Sequence, residues 1–448
     1  MSSEDLPGIG VTDGFTLAAV GDCITSRPLV PTLQRDAGFA NAIDILRDAT
    51  TTFGNLETSV IDIRGFRGSP RTWGDWDMAA PPTVIEDLIA LGFDIVSRAN
   101  NHGLDWGIEG LRETARHLDD AGLVHAGAGE VLASARAARY VETAGGRVGL
   151  VSLAPTGRFD PAAALDQFGE VPGRPGINAL RVRQTFTVPP DQMTGLRELG
   201  RLMDPAAMGQ DLATRPGADH LSLFEARFEP GDELSLRYEV DAGDLAANLR
   251  SIRLGKQHSD LVVVSAHVHE EGPGPDRPPP FLIDVAHAAI DAGADVFVGH
   301  GIHRMWPIEI YEGRPIFYGL GNFIFSDIQE PVTRSLYEEG RDLLEKAGVD
   351  PSRATDADVS ALLNAQGFDD DRYFESIIAQ VAFEGGRAAS LRLHPVDLGR
   401  GKRLTESGIP RIAEPERGAD ILKRLAAMSE PFGTSVAADG GVGVVTIP

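Results

Sequence analysis

From Phe15 onward, short runs of consecutive apolar residues alternate with segments whose apolar positions recur every three or four residues. The first pattern predicts buried strands and the second predicts amphipathic helices. FTLAAVGD, residues 15 to 22, reads as a buried strand entering a loop, TVIEDLIALGF as a helix, and DIVSRA as a strand that ends at Asn100. GIEGLRETARHLDDAGL, residues 107 to 123, is a second helix, and ARYVET with RVGLVSLA reads as a hairpin turning through Gly145 and Gly146. Further on, DLAANLRSIRL and FLIDVAHAAIDAG read as helices that alternate with the strands LVVVSAH and DVFVGH. WPIEIYEGRPIFYGLGNFIF reads as a hairpin and IIAQVAFEGGRAASLRLHPV as a strand pair. Strands this continuously apolar belong to a sheet covered on both faces, so the fold class is α/β.

Two stretches, about 155–240 and 327–372, break the rhythm and are expected to be insertions, a lid or flexible segments. The organisation expected is an N-terminal tail, 1–14, followed by a single domain, 15–448, that carries both insertions.

Charge and cysteine content narrow the partners. With 66 acidic against 41 basic residues the formal net charge is -25, which opposes nonspecific binding to nucleic acid or an anionic membrane. The single cysteine, Cys23, excludes an internal disulfide framework and a thiolate metal cluster, so any metal must be held by nitrogen and oxygen. Beside Asp22, Cys23 reads as a small buried filler. The acidic start MSSEDLPGIGVTDG has no basic leader or apolar run, and no later stretch approaches the ~20 apolar residues of a membrane span. A cytoplasmic location is expected, and the oligomeric state is left open.

The chemistry gathers where strands run out. Five of the eleven histidines sit there: His102, His267, His269, His300 and His303. Carboxyl ends of strands are where open α/β sheets bind ligands, so one polar, metal-bearing pocket is expected. Asp22 follows a buried strand on a glycine turn, suited either to a cation or to a helix cap. FGNLETS offers Asn55 and Glu57, and RANNHGLD packs Asn100, Asn101, His102 and Asp105 into six positions. In VVVSAHVHEE, His269 is the one read as a satisfied edge residue, with Glu270 and Glu271 following. His287 reads as a core or surface residue, and His117, His125, His220, His258 and His394 have no ligand context.

Taken in order, GD, GNLE, ANNH with its later D, the strand-end H with EE, GHxxH and PIEIYxGRxIFYxLGNFIF resemble the CapA/PgsA family of capsule and poly-γ-glutamate synthesis proteins. The resemblance covers about 15–155 and 240–330, plus PGINALR at 175–181. It implies a four-layer α/β/β/α metallophosphatase (calcineurin-like) sandwich with two long insertions. It also implies metal ligation by Asp22, Glu57, Asn101, His267 and His300, with His303 in the last histidine motif and His102 as an acid/base group oriented by Asp22. Position 24 is isoleucine where that motif has a histidine. This loss of a nitrogen donor favours Ca²⁺, Mg²⁺ or Mn²⁺ over Zn²⁺, one ion or two, with no organic cofactor.

Some members of the family epimerise peptides in lasso-peptide biosynthesis. That activity needs two oriented imidazoles, here His102 with Asp22, and His303 or His267 with Asp105 or Glu271. The favoured expectation is therefore a metal-dependent peptide epimerase with His102, Asp22, His303 and Asp105 as catalytic groups. Asn100, Arg27, Glu271 and Trp306 are expected to contact a peptide substrate, with Trp106 also available. The alternatives are a metal-dependent phosphoesterase or amide hydrolase, and an auxiliary poly-γ-glutamate synthesis protein.

Overall fold

Two ten-stranded sheets lie face to face in the computed structural model, which describes residues 10–71, 77–156, 162–203, 220–223, 226–326 and 334–447. The first sheet is centred on the parallel strands Thr16–Ile24, Thr51–Leu56 and Ile95–Ser97, and the second on Gly146–Thr156, Leu261–His267 and Val296–His300. Side chains alternate along each strand, which explains why the runs are apolar throughout. Leu17 and Ala19 point between the sheets with Phe53, Ile95, Leu150 and Val263. Ala18 and Val20 instead face Phe39, Ile43, Val84 and Leu88 of the helices Ala37–Asp48 and Thr83–Ala90. On the far side, Val262 and Val264 pack against Leu282, Val285 and Ala289 of the helix Pro280–Asp291. The layers run α/β/β/α, the four-layer metallophosphatase-like sandwich that was expected.

Several boundaries differ from the sequence reading. The first strand continues two residues past Asp22, with a register shift between Asp22 and Cys23. The apparent hairpin after Trp306 is a hairpin only over Ile308–Tyr311 and Arg314–Phe317. The next strand, Asn322–Phe325, leaves the second sheet and pairs in parallel with Thr16–Ile24 in the first. Gly21 permits this close crossing, because a Cβ there would lie 1.9 Å from the carbonyl oxygen of Gly321.

The described part of the first insertion is a sheet extension and not an irregular lid. Ala179–Val188 pairs with Gly146–Thr156, and Ser235–Val240 and Ala226–Pro230 flank it. Its alternating apolar and charged residues mark a strand exposed on one face, which lacks the continuous apolar run used to recognise the others. Among the described residues the second insertion carries three helices, Arg334–Glu339, Arg341–Lys346 and Asp356–Gly367, around a small core of Leu336, Leu344 and Val359. Parts of both insertions, 157–161, 204–219, 224–225 and 327–333, lie outside the described residues, as does 1–9 of the expected tail. The end of that tail is packed: Val11 is buried between the sheets. Among the described residues, no helix is long and apolar enough to cross a membrane.

Candidate metal centre

Parallel register aligns the polar residues of different strands at one edge of the sandwich. In the first sheet Asp22 is level with Asn55 on one side and Asn322 on the other, and Asn55 with Ser97. In the second sheet His267 is level with His300. The ends of both sheets thus converge on one site, to which the loop Asn100–Asp105 adds its side chains.

Asp22, His267 and His300 form the inner group, all fully or almost fully buried. Asp22 Oδ1 lies 3.5 Å from His300 Nδ1 and 3.8 Å from His267 Nδ1, and the two ring nitrogens are 3.0 Å apart. A point equidistant from three atoms so spaced lies about 2 Å from each, the length of an imidazole–metal bond. Asn55 donates to Asp22 Oδ1 at 2.9 Å, and the Gly301 amide donates to Oδ2 at 3.0 Å. Ser265 Oγ, 2.6 Å from His300 Nε2, holds the outer nitrogen of that ring, so its Nδ1 faces Asp22. Gly301 has φ +102°, and a Cβ would sit 2.8 Å from the Val268 nitrogen. His303, with φ +60°, is in the left-handed region that non-glycine residues rarely occupy, a strain found mainly at functional sites.

The outer group is Glu57, His269 and His303. Glu57 is fully buried, yet neither carboxylate oxygen has a hydrogen-bond partner among the described residues. Four imidazole Nε2 atoms surround its Oε1: His267 at 3.3 Å, His303 at 3.9 Å, and His102 and His269 at 4.0 Å. A buried carboxylate without donors costs several kcal/mol unless a cation neutralises it. Buried charges of this kind are found paired or coordinating metal, so the donor set fits a divalent cation. His267 faces both groups, Nδ1 toward Asp22 and Nε2 toward Glu57, and its Nε2 also lies 2.9 Å from Asn101 Oδ1.

The electrostatics follow from burial and from these neighbours. Burial opposes ionisation of Asp22, but His303, His300 and His267 hold its carboxyl well below the usual carboxylate range. Burial and the charge of Asp22 push Glu57 well above that range. Burial lowers His267 and His300 to about 3 and takes His269 well below its ordinary value. Burial also works against charged His102 and His303, yet Asp105 raises the first and Glu57 with Asp22 raises the second.

The structure therefore brings together Asp22, Glu57, Asn101, His102, His267, His300 and His303, but it changes the pairing. His102 is held by Asp105, with Nδ1 2.6 Å from Oδ2, and not by Asp22. Asp22 instead holds His303, 3.3 Å from Nδ1 to Oδ2. Asp105 also accepts from the Met78 amide at 2.7 Å, so it is rigidly placed as the partner of His102.

The expected substrate contacts fare worse. Glu271 pairs with Arg304 at 2.6 Å and orients no imidazole. Trp306 is buried in the second sheet's outer core and donates to the Pro275 carbonyl at 3.1 Å, and Trp106 is buried and donates to Met78. Asn100, also buried, donates to Asn55 Oδ1 and the Leu56 carbonyl, so it braces the site from behind. Arg27 donates to the Thr405 carbonyl at 2.7 Å and has no contact with the imidazoles among the described residues.

His269 and Asn322 were missed, and Asn55, which FGNLETS offers, was given no role. His269, read as an edge residue, lies 3.0 Å from His267 Nε2 across the Glu57 group although the strand stops at His267. Asn55 anchors Asp22, and Asn322 Oδ1 lies 2.9 Å from His303 Nδ1. A lone amide inside an apolar strand, as in FGNLE and LGNFIF, was the available signal. Nor is the donor set oxygen-rich as expected. Ile24 packs beneath the helices, and imidazoles from the second sheet make the cluster nitrogen-rich.

The bacterial capsule synthesis protein PGA_cap family matches residues 16–327. An uncharacterized protein y4sH of Sinorhizobium fredii is 42% identical over 454 aligned residues, covering 98% of this chain and 94% of that one. The capsule biosynthesis protein CapA of Bacillus anthracis is 25% identical, covering 69% of this chain and 60% of its own length. A probable polyglutamine synthesis accessory protein of Mycobacterium tuberculosis is 28% identical over 54% of this chain and 48% of its own. Among solved structures, an NAD nucleotidase of Haemophilus influenzae superposes with a TM-score of 0.35 at 10% identity, covering 91% of this chain and 55% of that one. With 42% identity along nearly its whole length to one relative and a family match from the first strand to the strand that carries Asn322, the chain belongs to the bacterial capsule synthesis protein PGA_cap family.

Proposed function

We propose that this chain is a metal-dependent hydrolase of a phosphoester or amide bond, of the CapA accessory type. The relatives named for capsule biosynthesis and as a polyglutamine synthesis accessory protein support the CapA accessory type, and neither name points to peptide epimerisation. The observation that carries it is Glu57, a buried carboxylate that accepts no hydrogen bond among the described residues and is ringed by four imidazole nitrogens. Asp22, His267 and His300 would hold one cation, with Glu57, His269 and His303 positioned for a second. A cation held there would polarise the scissile group and generate hydroxide from water near neutral pH. A donor set this rich in imidazole suits Mn²⁺ or Zn²⁺ better than Ca²⁺ or Mg²⁺.

His102, fixed through Nδ1 by Asp105, presents Nε2 to the cluster and is the group placed to protonate a leaving atom. The His303 ring is fixed by Asp22 and Asn322, and the exposed side of the cluster lies at His269. Protein stripped with a chelator and reloaded with Mn²⁺ or Zn²⁺ tests the reading. It is assayed by absorbance against p-nitrophenyl phosphate, its bis ester and γ-glutamyl-p-nitroanilide. Metal-dependent release from any of them is expected; no release from fully loaded protein would sink the proposal.

One observation keeps a second reading in view. Two imidazole–carboxylate pairs, His102–Asp105 and His303–Asp22, both present Nε2 to Glu57, and two-base proton transfer requires two such oriented imidazoles. Solvent deuterium entering a peptide Cα without cleavage would select epimerisation instead.

A further inference from the structure

The His303 ring is walled by aromatic side chains that metal binding does not require. Phe325 lies 6.5 Å from it between centroids at 25°, and Phe368 lies 5.9 Å away, edge-on at 83°. Phe368 packs in turn against Phe325 at 4.8 Å and Tyr373 at 5.1 Å, and Phe374 backs Phe325 at 5.5 Å. Phe325 and Phe374 are buried, whereas Phe368 and Tyr373 keep part of their surface in solvent.

This wall is tied to the reactive groups. Asn322 donates to the Tyr373 carbonyl at 2.9 Å, and the same amide's oxygen holds His303 Nδ1. The cations of the segment are engaged elsewhere: Arg372 pairs with Asp370 and Asp276, and Arg400 and Arg417 pair with Asp371. Beside His303 the protein thus offers ring faces and edges, and these three arginines are already paired.

We infer that Phe368 and Tyr373 form a subsite for a planar or apolar group next to the reacting bond. The substrate then carries an aryl or apolar group beside the phosphoester or amide bond. This inference rests on the hydrolase reading above. A ring seated edge-on or offset against these two gains affinity of about tenfold over a substituent too small to reach them.

Phenylphosphonate and methylphosphonate share one anionic head and differ in the ring, so they isolate the subsite without turnover. Calorimetric titration of the Mn²⁺-loaded protein should show the phenyl compound binding about tenfold more tightly. Phe368→Ala should erase most of that preference while methylphosphonate affinity and metal content stay unchanged. Phe368→Leu, which keeps bulk in the wall, should behave likewise and controls for folding. Equal affinities in the wild type, or a preference that survives both replacements, would overturn the subsite. Loss of methylphosphonate binding in both variants would also overturn it, by making the wall structural. If the loaded wild type binds neither phosphonate, the hydrolase reading fails first and the subsite with it.

Discussion

Replacing Glu57 by glutamine separates what the carboxylate does for folding from what it does for metal. The side chain is fully buried, and its oxygens accept no hydrogen bond among the described residues. Leaving a buried polar group unsatisfied costs about 1–3 kcal/mol, and more when it is charged. Glutamine removes the charge that burial and Asp22 penalise, so above the raised pKa of this carboxyl metal-free Glu57→Gln should be more stable than metal-free wild type by about 1–3 kcal/mol. In a chain of 448 residues the unfolding entropy makes 1 kcal/mol worth about 1 °C, so the gain in Tm is about 1–3 °C. With Mn²⁺ at about a thousand times its Kd the wild type gains roughly 4 kcal/mol, and the variant gains far less. The order of stability should invert. Scanning calorimetry of both proteins, in chelator and in MnCl₂, reads the inversion directly. If metal-free wild type is instead the more stable by 1 kcal/mol or more, Glu57 is already neutralised by protonated His102 and His303 and the case for a cation collapses.

Other consequences can be checked alongside. His102→Ala should keep its metal, measured by elemental analysis, and lose activity by about 10²–10⁴-fold, whereas His300→Ala should lose both. Asp105→Asn should lower the rate in the same direction as His102→Ala, because it removes the charge that orients and raises that ring; an unchanged rate would remove His102 from the reaction. Gly301→Ala should destabilise the fold by about 1–3 kcal/mol in urea unfolding, since it forces a Cβ against the Val268 nitrogen at φ +102°. Metal-free protein should weaken with acid: His267 and His300 sit at about 3 in the fold, below their unfolded value. Their contribution is complete above about pH 6.5 and declines toward pH 3, by roughly 3 kcal/mol per pH unit for the pair. Urea midpoints that do not move between pH 7 and 5 would contradict this.

Individual residues show where the sequence was readable. Asp22, His102, His267 and His300 could be found because each follows an apolar run, and a polar side chain at a strand's carboxyl end has few structural reasons to be there. Trp306 and Glu271 were misread because their neighbourhood in sequence resembles a rim while their contacts in space are the core and Arg304. His269 was passed over for a similar reason: two residues beyond the strand's end its direction depends on the loop, and periodicity stops being informative.

The chain alone determined the alternation of buried strands and helices, the exclusion of a thiolate metal cluster, and the supply of imidazoles and carboxylates at strand ends. It did so because burial has a period that local sequence records. Which imidazole pairs with which carboxylate was decided only by tertiary structure. Asp22 and His303, 281 positions apart, meet because parallel register and the crossing of Asn322–Phe325 into the first sheet bring them to one level. His102 finds Asp105 three residues on, in its own loop. Spacing along a chain limits which residues can be near one another, but the orientation of a ring within a site is set by the sheets that converge there.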